Sequence, residues 1–244
     1  MSGLRSNRIL LFWIFGWITV LLRAEEGYYI EEKLTTPPIF GLPKQTHLTK
    51  TWITNTHLRR DEGSKQQTLL IDTRKNQAWL IRHQDSTMIR MDMATFQGMA
   101  LMTMMMFGVT YDTLTGDPII PDSIFYKTGR QLRVGQWDCH EVIVQRRHSD
   151  SGGNKGQPVV MWITDHDVSE QSLYVSILRA MMGPLVNQYS AFFNQLERLG
   201  GYPAELYTRA MGMEITQKLL RLEKENITEA VFQLPSGYKI AENP

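Results

Sequence analysis

The stretch from Met88 to Val109 constrains the fold more than any other part of this 244-residue chain. Eight of the fourteen methionines lie between Met88 and Met106, and no charged residue occurs from Met93 to Val109. Methionine, alanine and leucine favour a helix, and the run lacks the alternation of a strand. Because apolar residues fall on every side, the predicted helix must be covered by protein, by a hydrophobic ligand or by a membrane.

This methionine-rich helix has three interpretations. Unbranched methionine fills irregular gaps, so plain core packing is the first. The second is an adaptable lining for lipid or hydrophobic peptide, and the third is contact with a membrane, for which the run is short. In the second interpretation the groove is lined by Phe96, Met99, Met102, Met105, Met106, Phe107 and Trp162.

The first 24 residues have the pattern of an export signal. Arg5 and Arg8 precede a 14-residue uncharged run, Ile9–Leu22, and a small residue, Ala24, supplies a cleavage site. A bilayer span needs about 20 apolar residues, so this run favours a cleaved signal over an anchor. We therefore expect export to the periplasm or beyond the cell, with an uncleaved membrane anchor as the alternative. Residues 25–244 contain no repeat and no long linker, and we predict one domain there.

The remaining composition excludes several classes of protein. Removing residues 1–24 takes away three arginines and leaves 23 basic against 25 acidic residues, which provides no electrostatic footprint for nucleic acid. The single cysteine, Cys139, excludes an internal disulfide. The fold must therefore be stabilised by its core.

The pattern outside the methionine-rich run predicts about ten strands joined mostly by short turns. Thr68–Asp72, Gln77–Arg82 and Thr87–Met91 are predicted strands, whereas Arg59–Lys65 is a predicted charged turn. A change of apolar phase predicts a bulge near residues 217–219. A second helical region begins after Asp165, carries an amphipathic stripe to Leu199 and ends at Gly200-Gly201.

Short connections favour antiparallel pairing, and a sheet of this size curls. The concave face of such a sheet must be filled, and the two helical regions are the available filling. The predicted fold class is therefore α+β: a curved antiparallel half-barrel sheet of about ten strands wrapped over two helical regions.

Several local motifs point to a family. They are the strand–glycine–cysteine–strand element Leu132–Val144, the following strand Val160–Asp165, and the closing segments Leu219–Leu222 and Val231–Tyr238. Together with hairpins at residues 49–58 and 67–80, they resemble uncharacterised bacterial exported proteins whose fold is similar to the LolA/LolB lipoprotein carriers. The resemblance implies a half-barrel of antiparallel strands over helices, outside the cytoplasm, and an apolar cavity for acyl chains.

The candidate reactive groups do not form a recognisable site in the sequence. Cys139-His140 and the run from Asp165 to Asp167 contain metal-binding residue types, but neighbouring strand side chains point to opposite faces. No paired ligand spacing, nucleophile elbow, phosphate loop or dinucleotide fingerprint is present. We therefore expect no catalytic residue, no metal and no cofactor.

The sequence thus predicts a non-enzymatic binding protein of the cell envelope, with an apolar groove for lipid, a lipoprotein acyl chain or another hydrophobic ligand. Its expected partners are lipid or lipoprotein and a membrane surface. The alternative is a structural or partner-binding envelope protein with a fully packed core, acting through the loops Thr35–Lys44, Thr110–Ser123 and His148–Gln157. An enzyme using Cys139, His140 or Asp165 is the third possibility. The oligomeric state is not specified by the sequence.

Overall fold

The computed structural model is built around one large β-sheet. It describes residues 24–36, 44–92, 97–98, 101, 104–105, 109–121, 124–144, 159–165, 175–176, 179, 182–210 and 213–241. The predicted export signal lies outside the described residues except for Ala24. The predicted hairpin tip at residues 148–157 lies outside them as well.

The first six strands follow one another as an antiparallel meander. They are β1 (Ala24–Thr36), β2 (Gln45–Ile53), β3 (His57–Glu62), β4 (Gln67–Asp72), β5 (Gln77–Arg82) and β6 (Thr87–Met91). Each pairs with its successor along the chain. The bounds of β5 and β6 are those predicted from the sequence, and β4 begins one residue earlier than predicted.

The predicted turn at Arg59–Lys65 is wrong, because most of it is strand β3. The reversal is made instead by a 3-10 helix at Gly63–Lys65, followed by Gln66 with a φ of 48°. Charged side chains are tolerated in β3 because they pair with one another. Arg59 Nε, for example, lies 2.9 Å from a carboxylate oxygen of Asp61 on the same face.

The second half of the chain adds eight strands to the described part. They are β7 (Thr110–Tyr111), β8 (Pro118–Ile119), β9 (Phe125–Val134), β10 (Trp137–Val144), β11 (Val159–Thr164), β12 (Pro203–Ala210), β13 (Met213–Thr228) and β14 (Lys239–Ala241). Strands β7 and β8 form a small hairpin of their own, and the other six join the large sheet.

The large sheet is open. Its twelve strands run in the order β14-β6-β5-β4-β3-β2-β1-β13-β12-β11-β10-β9, so β9 and β14 are its edges within the described residues. All neighbours are antiparallel except β14 and β6, which are parallel. A large, mostly antiparallel sheet is therefore confirmed, with more strands than the ten or so predicted. Strand β1 lies inside the sheet between β2 and β13.

A bulge in β13 lies beside the predicted position. Glu31 pairs with Arg221 and Glu32 with Leu219, which leaves Leu220 as the extra residue. Leu220 is exposed, whereas Leu219 is buried. The bulge therefore shifts the apolar phase along β13, as the sequence pattern indicates.

Helical residues lie between β6 and β7 and between β11 and β12. Residues 97–98, 101, 104–105, 175–176, 179 and 182 are helical, a 3-10 helix spans Gly183–Tyr189, and helix α1 spans Ser190–Glu197. Helix α1 buries Phe192, Phe193 and Leu196. In the part of the chain that the structure describes, no helix has both the length and the apolar character to cross a membrane.

These helical residues pack against the last strands of the sheet and form what we call the helical core. Met104, Met182 and Phe192 are fully buried there. The strand side chains of this core are Val142, Val144, Val159, Met161 and Ile163, together with partly buried Phe125 and Leu206, and Ile124 joins them from just before β9. The methionine-rich helix and α1 thus share one core.

The first six strands carry a different core on each face. On β4, Ile71 belongs to a core with Ile30, Leu58 and Ala78, whereas Leu70 belongs to the opposite one. We call these the meander core and the C-terminal core. The C-terminal core is closed by Phe232, Val231 and Tyr238, which follow β13 and lie against Trp52, Trp79, Ile81 and Met88. Because both faces of β4 are covered, it carries the apolar residues Leu70 and Ile71 next to each other.

Candidate functional site

The described residues of the methionine-rich helix include buried and exposed side chains. Leu101 packs against the helical core, and Met104 has no exposed surface. The next residue, Met105, is 55% exposed. The other predicted groove residues of this helix, Phe96, Met99, Met102, Met106 and Phe107, lie outside the described residues.

Trp162 is separated from Met104 by the sheet. On β11, Met161 and Ile163 point into the helical core, whereas Trp162 packs against the meander core. The Arg130 guanidinium carbon lies 5.7 Å from the Trp162 ring centroid. Nη1 of Arg130 lies 2.9 Å from Oε1 of Glu141. The structure therefore does not bring Trp162 together with the described part of the methionine-rich helix.

Cys139 lacks the features of a nucleophile. It is 1% exposed, and burial raises the pKa of its thiol to about 11. Its S–H faces the carbonyl oxygen of Trp137 at 3.5 Å. At neutral pH the group is a neutral thiol, which is a poor nucleophile.

His140 and Asp165 are brought together by the pairing of β10 with β11. Nδ1 of His140 lies 2.6 Å from Oδ1 of Asp165. Nε2 of His140 is buried and has no hydrogen-bond partner among the described residues. Cys139, its neighbour in the strand, points to the other face. Both residues were candidates in the sequence, but their contact was not predicted because it depends on strand register. The described residues contain no cluster of three or more metal-ligating side chains.

A second polar group, around Glu32, was also missed. Glu32 on β1 is 3% exposed. The Tyr202 hydroxyl and Nε2 of Gln217 each donate to its Oε1 at 2.6 Å, and Arg60 Nη1 lies 3.8 Å from its Oε2. These contacts replace part of the water that a buried carboxylate loses. No motif marks the group, since its members come from distant parts of the chain.

The β7–β8 hairpin presents an apolar tip directly after the methionine-rich run. Leu114 is 94% exposed there. Asp112 holds the turn, because its Oδ1 accepts hydrogen bonds from the backbone of Leu114 and Thr115. These two bonds lower the pKa of Asp112. At the base of the hairpin, the Tyr189 hydroxyl donates to that of Tyr111 at 3.2 Å. The tip is therefore presented by an ordered turn.

A cavity of about 400 Å3 lies where β1 begins and β13 ends. It is lined by Ala24, Glu25, His57, Arg74, Ile227, Glu229 and Phe232. Its walls combine ionised and aromatic side chains, so it differs in chemistry from the methionine-rich helix. No pattern in the sequence pointed to it, because its lining comes from separate segments of the chain.

No protein-family model matches this chain, and no curated protein matches it. A search of solved structures returns matches at low identity and with TM-scores below 0.5. One is an uncharacterized conserved protein from Thermus thermophilus, with 7% identity, a TM-score of 0.47, and coverage of 96% of this chain and 99% of the other.

Two others are described as a LolA superfamily protein and as a lipoprotein-sorting protein domain. A LolA superfamily protein from Nitrosomonas europaea has 8% identity, a TM-score of 0.34 and coverage of 88% of this chain and 93% of the other. A putative outer membrane lipoprotein-sorting protein domain from Vibrio parahaemolyticus has 8% identity, a TM-score of 0.32 and coverage of 91% and 95%. At TM-scores below 0.5, we draw no function from these similarities. LolA-like structures are nevertheless among the neighbours of this chain, as the sequence motifs led us to expect.

Proposed function

We propose that this protein is an exported, non-enzymatic carrier that binds a hydrophobic ligand, such as a lipid or a lipoprotein acyl chain, against its methionine-rich helix. The observation that carries the proposal is the contrast between Met104, fully buried, and Met105, 55% exposed, in a run without charge. One side of the helix is anchored in the core. The other offers an apolar surface to whatever lies beside it.

The chemistry of this surface suits a chain-like ligand of variable shape. Methionine has three rotatable bonds and a polarizable sulfur, so it adapts to irregular apolar partners. Each buried methylene of a ligand contributes about 0.8 kcal/mol, so a half-buried acyl chain supplies several kcal/mol before ordering costs. The proposed lining is Phe96, Met99, Met102, Met105, Met106 and Phe107. We leave Trp162 out because it packs on the other face of β11.

The sheet supplies the frame for such a groove. A twisted sheet of twelve strands curls rather than staying flat, so we propose a half-barrel with the two helical regions on its concave side. The shared helical core supports this arrangement, because it joins Met104 to α1 and to β9, β10 and β11. The export pattern of residues 1–24 supports a location in the periplasm or outside the cell.

Substitution of Met105 tests the proposal. The side chain is exposed, so Met105→Glu should fold normally while placing a charge on the apolar surface. We expect wild-type protein to bind a fluorescent fatty-acid probe and to carry lipid detectable by mass spectrometry after native purification. We expect Met105→Glu to weaken probe binding by about tenfold or more, since a carboxylate is costly to bury.

The matched control is Ile240→Glu. Ile240 is 68% exposed on edge strand β14, so the change introduces the same charge at an exposed apolar position outside the helical core. It should leave probe binding unchanged. Equal losses in both variants, or the absence of both lipid and probe binding in the wild type, would argue against the carrier function.

The alternative is a partner-binding envelope protein, and the Leu114 tip favours it. A large apolar side chain held 94% exposed by an ordered turn is a feature of protein-binding loops. This alternative predicts no bound lipid and no response to the fatty-acid probe. The lipid measurement on the wild type therefore separates the two functions.

A further inference from the structure

We infer that the outer edge of β9 is a docking site for an extended segment of a partner protein, in which acidic and apolar residues alternate. No strand pairs with this edge in the part of the chain that the structure describes. The residues from Tyr126 to Arg133 are all exposed, so the edge offers its backbone donors and acceptors to an added strand. This inference goes beyond the proposed carrier function, because it concerns the edge of the sheet and not the methionine-rich helix.

Two cations of β9 lie on one face of the sheet. In the pairing with β10, Lys127 lies opposite Val142, whose side chain belongs to the helical core, and Arg133 lies opposite Asp138. Val142 and Asp138 are an even number of residues apart in β10, so they share a face. Lys127 and Arg133 therefore both project on the face of the helical core. Neither of them forms an ion pair among the described residues.

The other face of β9 exposes apolar surface. Tyr126 lies opposite Ile143 and is 38% exposed, and Leu132 lies opposite Cys139 and is 51% exposed. Cys139 belongs to the meander core, which places Leu132 on the face away from the helical core. The edge thus presents cations on one face and apolar side chains on the other.

A bulge in the middle of β9 keeps these two faces in phase. Residues 128–130 lie opposite the single residue Glu141, and Gly129 has a φ of 81°. Because the number of extra residues is even, side chains before and after the bulge keep the same faces. Thr128 Oγ1 and Arg130 Nη1 donate to the Glu141 carboxylate at 2.7 and 2.9 Å. The charge of Arg130 is thereby compensated, and the two other cations of β9 are left for a partner.

The remaining charges near this edge favour an acidic partner. On the face of the cations, Asp165 is bonded to His140, and Asp138 lies on the neighbouring strand, behind Arg133 as seen from an added strand. Side chains of an added strand would lie about 5 Å from their neighbours on β9 and about twice as far from β10. Acidic residues there would therefore meet Lys127 and Arg133 before they met Asp138.

The alternation of the partner follows from the geometry of a strand. Successive side chains of an added strand point to opposite faces, so the residues beside the cations are acidic and those beside Tyr126 and Leu132 are apolar. A second copy of β9 does not fit, because β9 has three cations and no acidic residue and its self-pairing would bring like charges together.

The test uses fluorescein-labelled ten-residue peptides, which match the length of β9, and follows their binding to the full chain by fluorescence anisotropy. One peptide alternates glutamate and valine, and the other has five glutamates followed by five valines. We expect the alternating peptide to bind and the block peptide to bind at least about tenfold more weakly, because only the first matches both faces. The bound alternating peptide should also slow hydrogen exchange at the backbone amides of residues 126–133.

Charge reversal tests the role of the cations. Lys127→Glu/Arg133→Glu keeps the edge charged, and we expect it to bind the glutamate–valine peptide at least about tenfold more weakly and to bind an alternating lysine–valine peptide instead. The matched control, Lys33→Glu/Lys50→Glu, reverses two exposed charges on interior strands β1 and β2 and should bind like the wild type. Met105→Glu should also leave peptide binding unchanged, so a failure of the carrier function would not affect this result.

Three results would overturn the inference. They are no binding of the alternating peptide at about 1 mM, equal binding of the alternating and block peptides, and an equal loss of binding in the control and edge variants.

Discussion

Glu32 shows how one buried ionisable residue ties distant parts of the chain together. It lies on β1, its hydroxyl donor Tyr202 precedes β12, and its amide donor Gln217 lies on β13. Its partners are 170 and 185 residues away in sequence. A carboxylate that is 3% exposed depends on such donors, because water no longer solvates it.

We predict that Tyr202→Phe lowers the free energy of unfolding by about 1–3 kcal/mol, the usual cost of leaving a buried acceptor short of a donor. The ring itself stays in the core, so the change isolates the hydroxyl. Urea denaturation followed by circular dichroism measures the effect.

A double-mutant cycle with Glu32→Met, which removes the acceptor, is the control for this prediction. If the hydroxyl acts through the carboxylate, Tyr202→Phe should cost less in the Glu32→Met background, with a coupling of about 0.5–3 kcal/mol. Strictly additive effects would mean that Tyr202 stabilises the fold in some other way.

The sequence contained a partial signal for this residue. In the predicted first strand, Ile30 and Leu34 lie two residues to either side of Glu32, so alternation places Glu32 on their face, but it does not identify the donors to its carboxylate. Glu32 is buried when β13 pairs with β1, and most of the chain separates these two strands in sequence. The burial of residues such as Met104 was easier to predict, because a run without charged residues indicates burial from local composition alone.

At the scale of elements, local sequence patterns were sufficient to predict several strands that pair with their neighbours in sequence. Strands β4, β5 and β6 follow their apolar patterns, and the turn between β4 and β5 uses Asn76 with a φ of 50°. Strand β3 was missed because four of its six residues are charged and read as a turn. Its conformation is set by pairing with β2 and β4, which local propensity does not include.

The junction between α1 and β12 depends on two glycines with different roles. Both have left-handed backbone, with φ of 62° at Gly200 and 68° at Gly201. A side chain at Gly200 would meet no atom within 4 Å, whereas one at Gly201 would collide with the carbonyl oxygen of Thr164. This close approach accompanies the hydrogen bonds between Thr164 and Tyr202, both 2.9 Å long.

We predict that Gly200→Ala costs about 1–2 kcal/mol from backbone strain alone. Gly201→Ala should cost about 4 kcal/mol or more, because β11 and β12 must also move apart. Thermal or urea unfolding of the two variants measures the difference. Equal costs would show that backbone strain, and not the contact with Thr164, determines the need for glycine at Gly201.

At the scale of the whole molecule, the open sheet has one long edge. Strand β9 contains ten residues, of which all from Tyr126 to Arg133 are exposed. Its outer backbone groups have no neighbouring strand among the described residues. Lys127, Arg130 and Arg133 supply only positive charge along it. Like charges on an edge strand oppose pairing between copies of the chain.

We therefore predict that the double variant Lys127→Thr/Arg133→Thr self-associates at concentrations where the wild type does not. Light scattering against protein concentration measures this. The control, Lys33→Thr/Lys50→Thr, removes the same charge from exposed positions on interior strands β1 and β2 and should not associate. Association of both variants would assign the effect to net charge.

The same distinction between local and distant information applies to the candidate sites. The apolar character of the methionine-rich helix was predictable, since it resides in one continuous segment. The cavity lined by Glu25, His57, Arg74 and Glu229 was not, because those residues converge only when β1 has paired with β13 and with β2, and β2 with β3. Trp162 was assigned to the groove by residue type alone, and its side chain lies on the face of β11 opposite to the helical core.

The pairing of β1 with β13 also determines when the folding of the sheet is completed. Ala24 lies opposite Thr228, so the middle of the sheet joins segments that leave the ribosome, and enter any export channel, far apart in time. Until β13 arrives, β1 has only β2 beside it, and the carboxylate of Glu32 lacks the amide of Gln217. Pairing between strands that are distant in sequence is slow, and the strands stay unpaired until it occurs. The centre of the sheet is therefore completed only after residues 213–228 have been made.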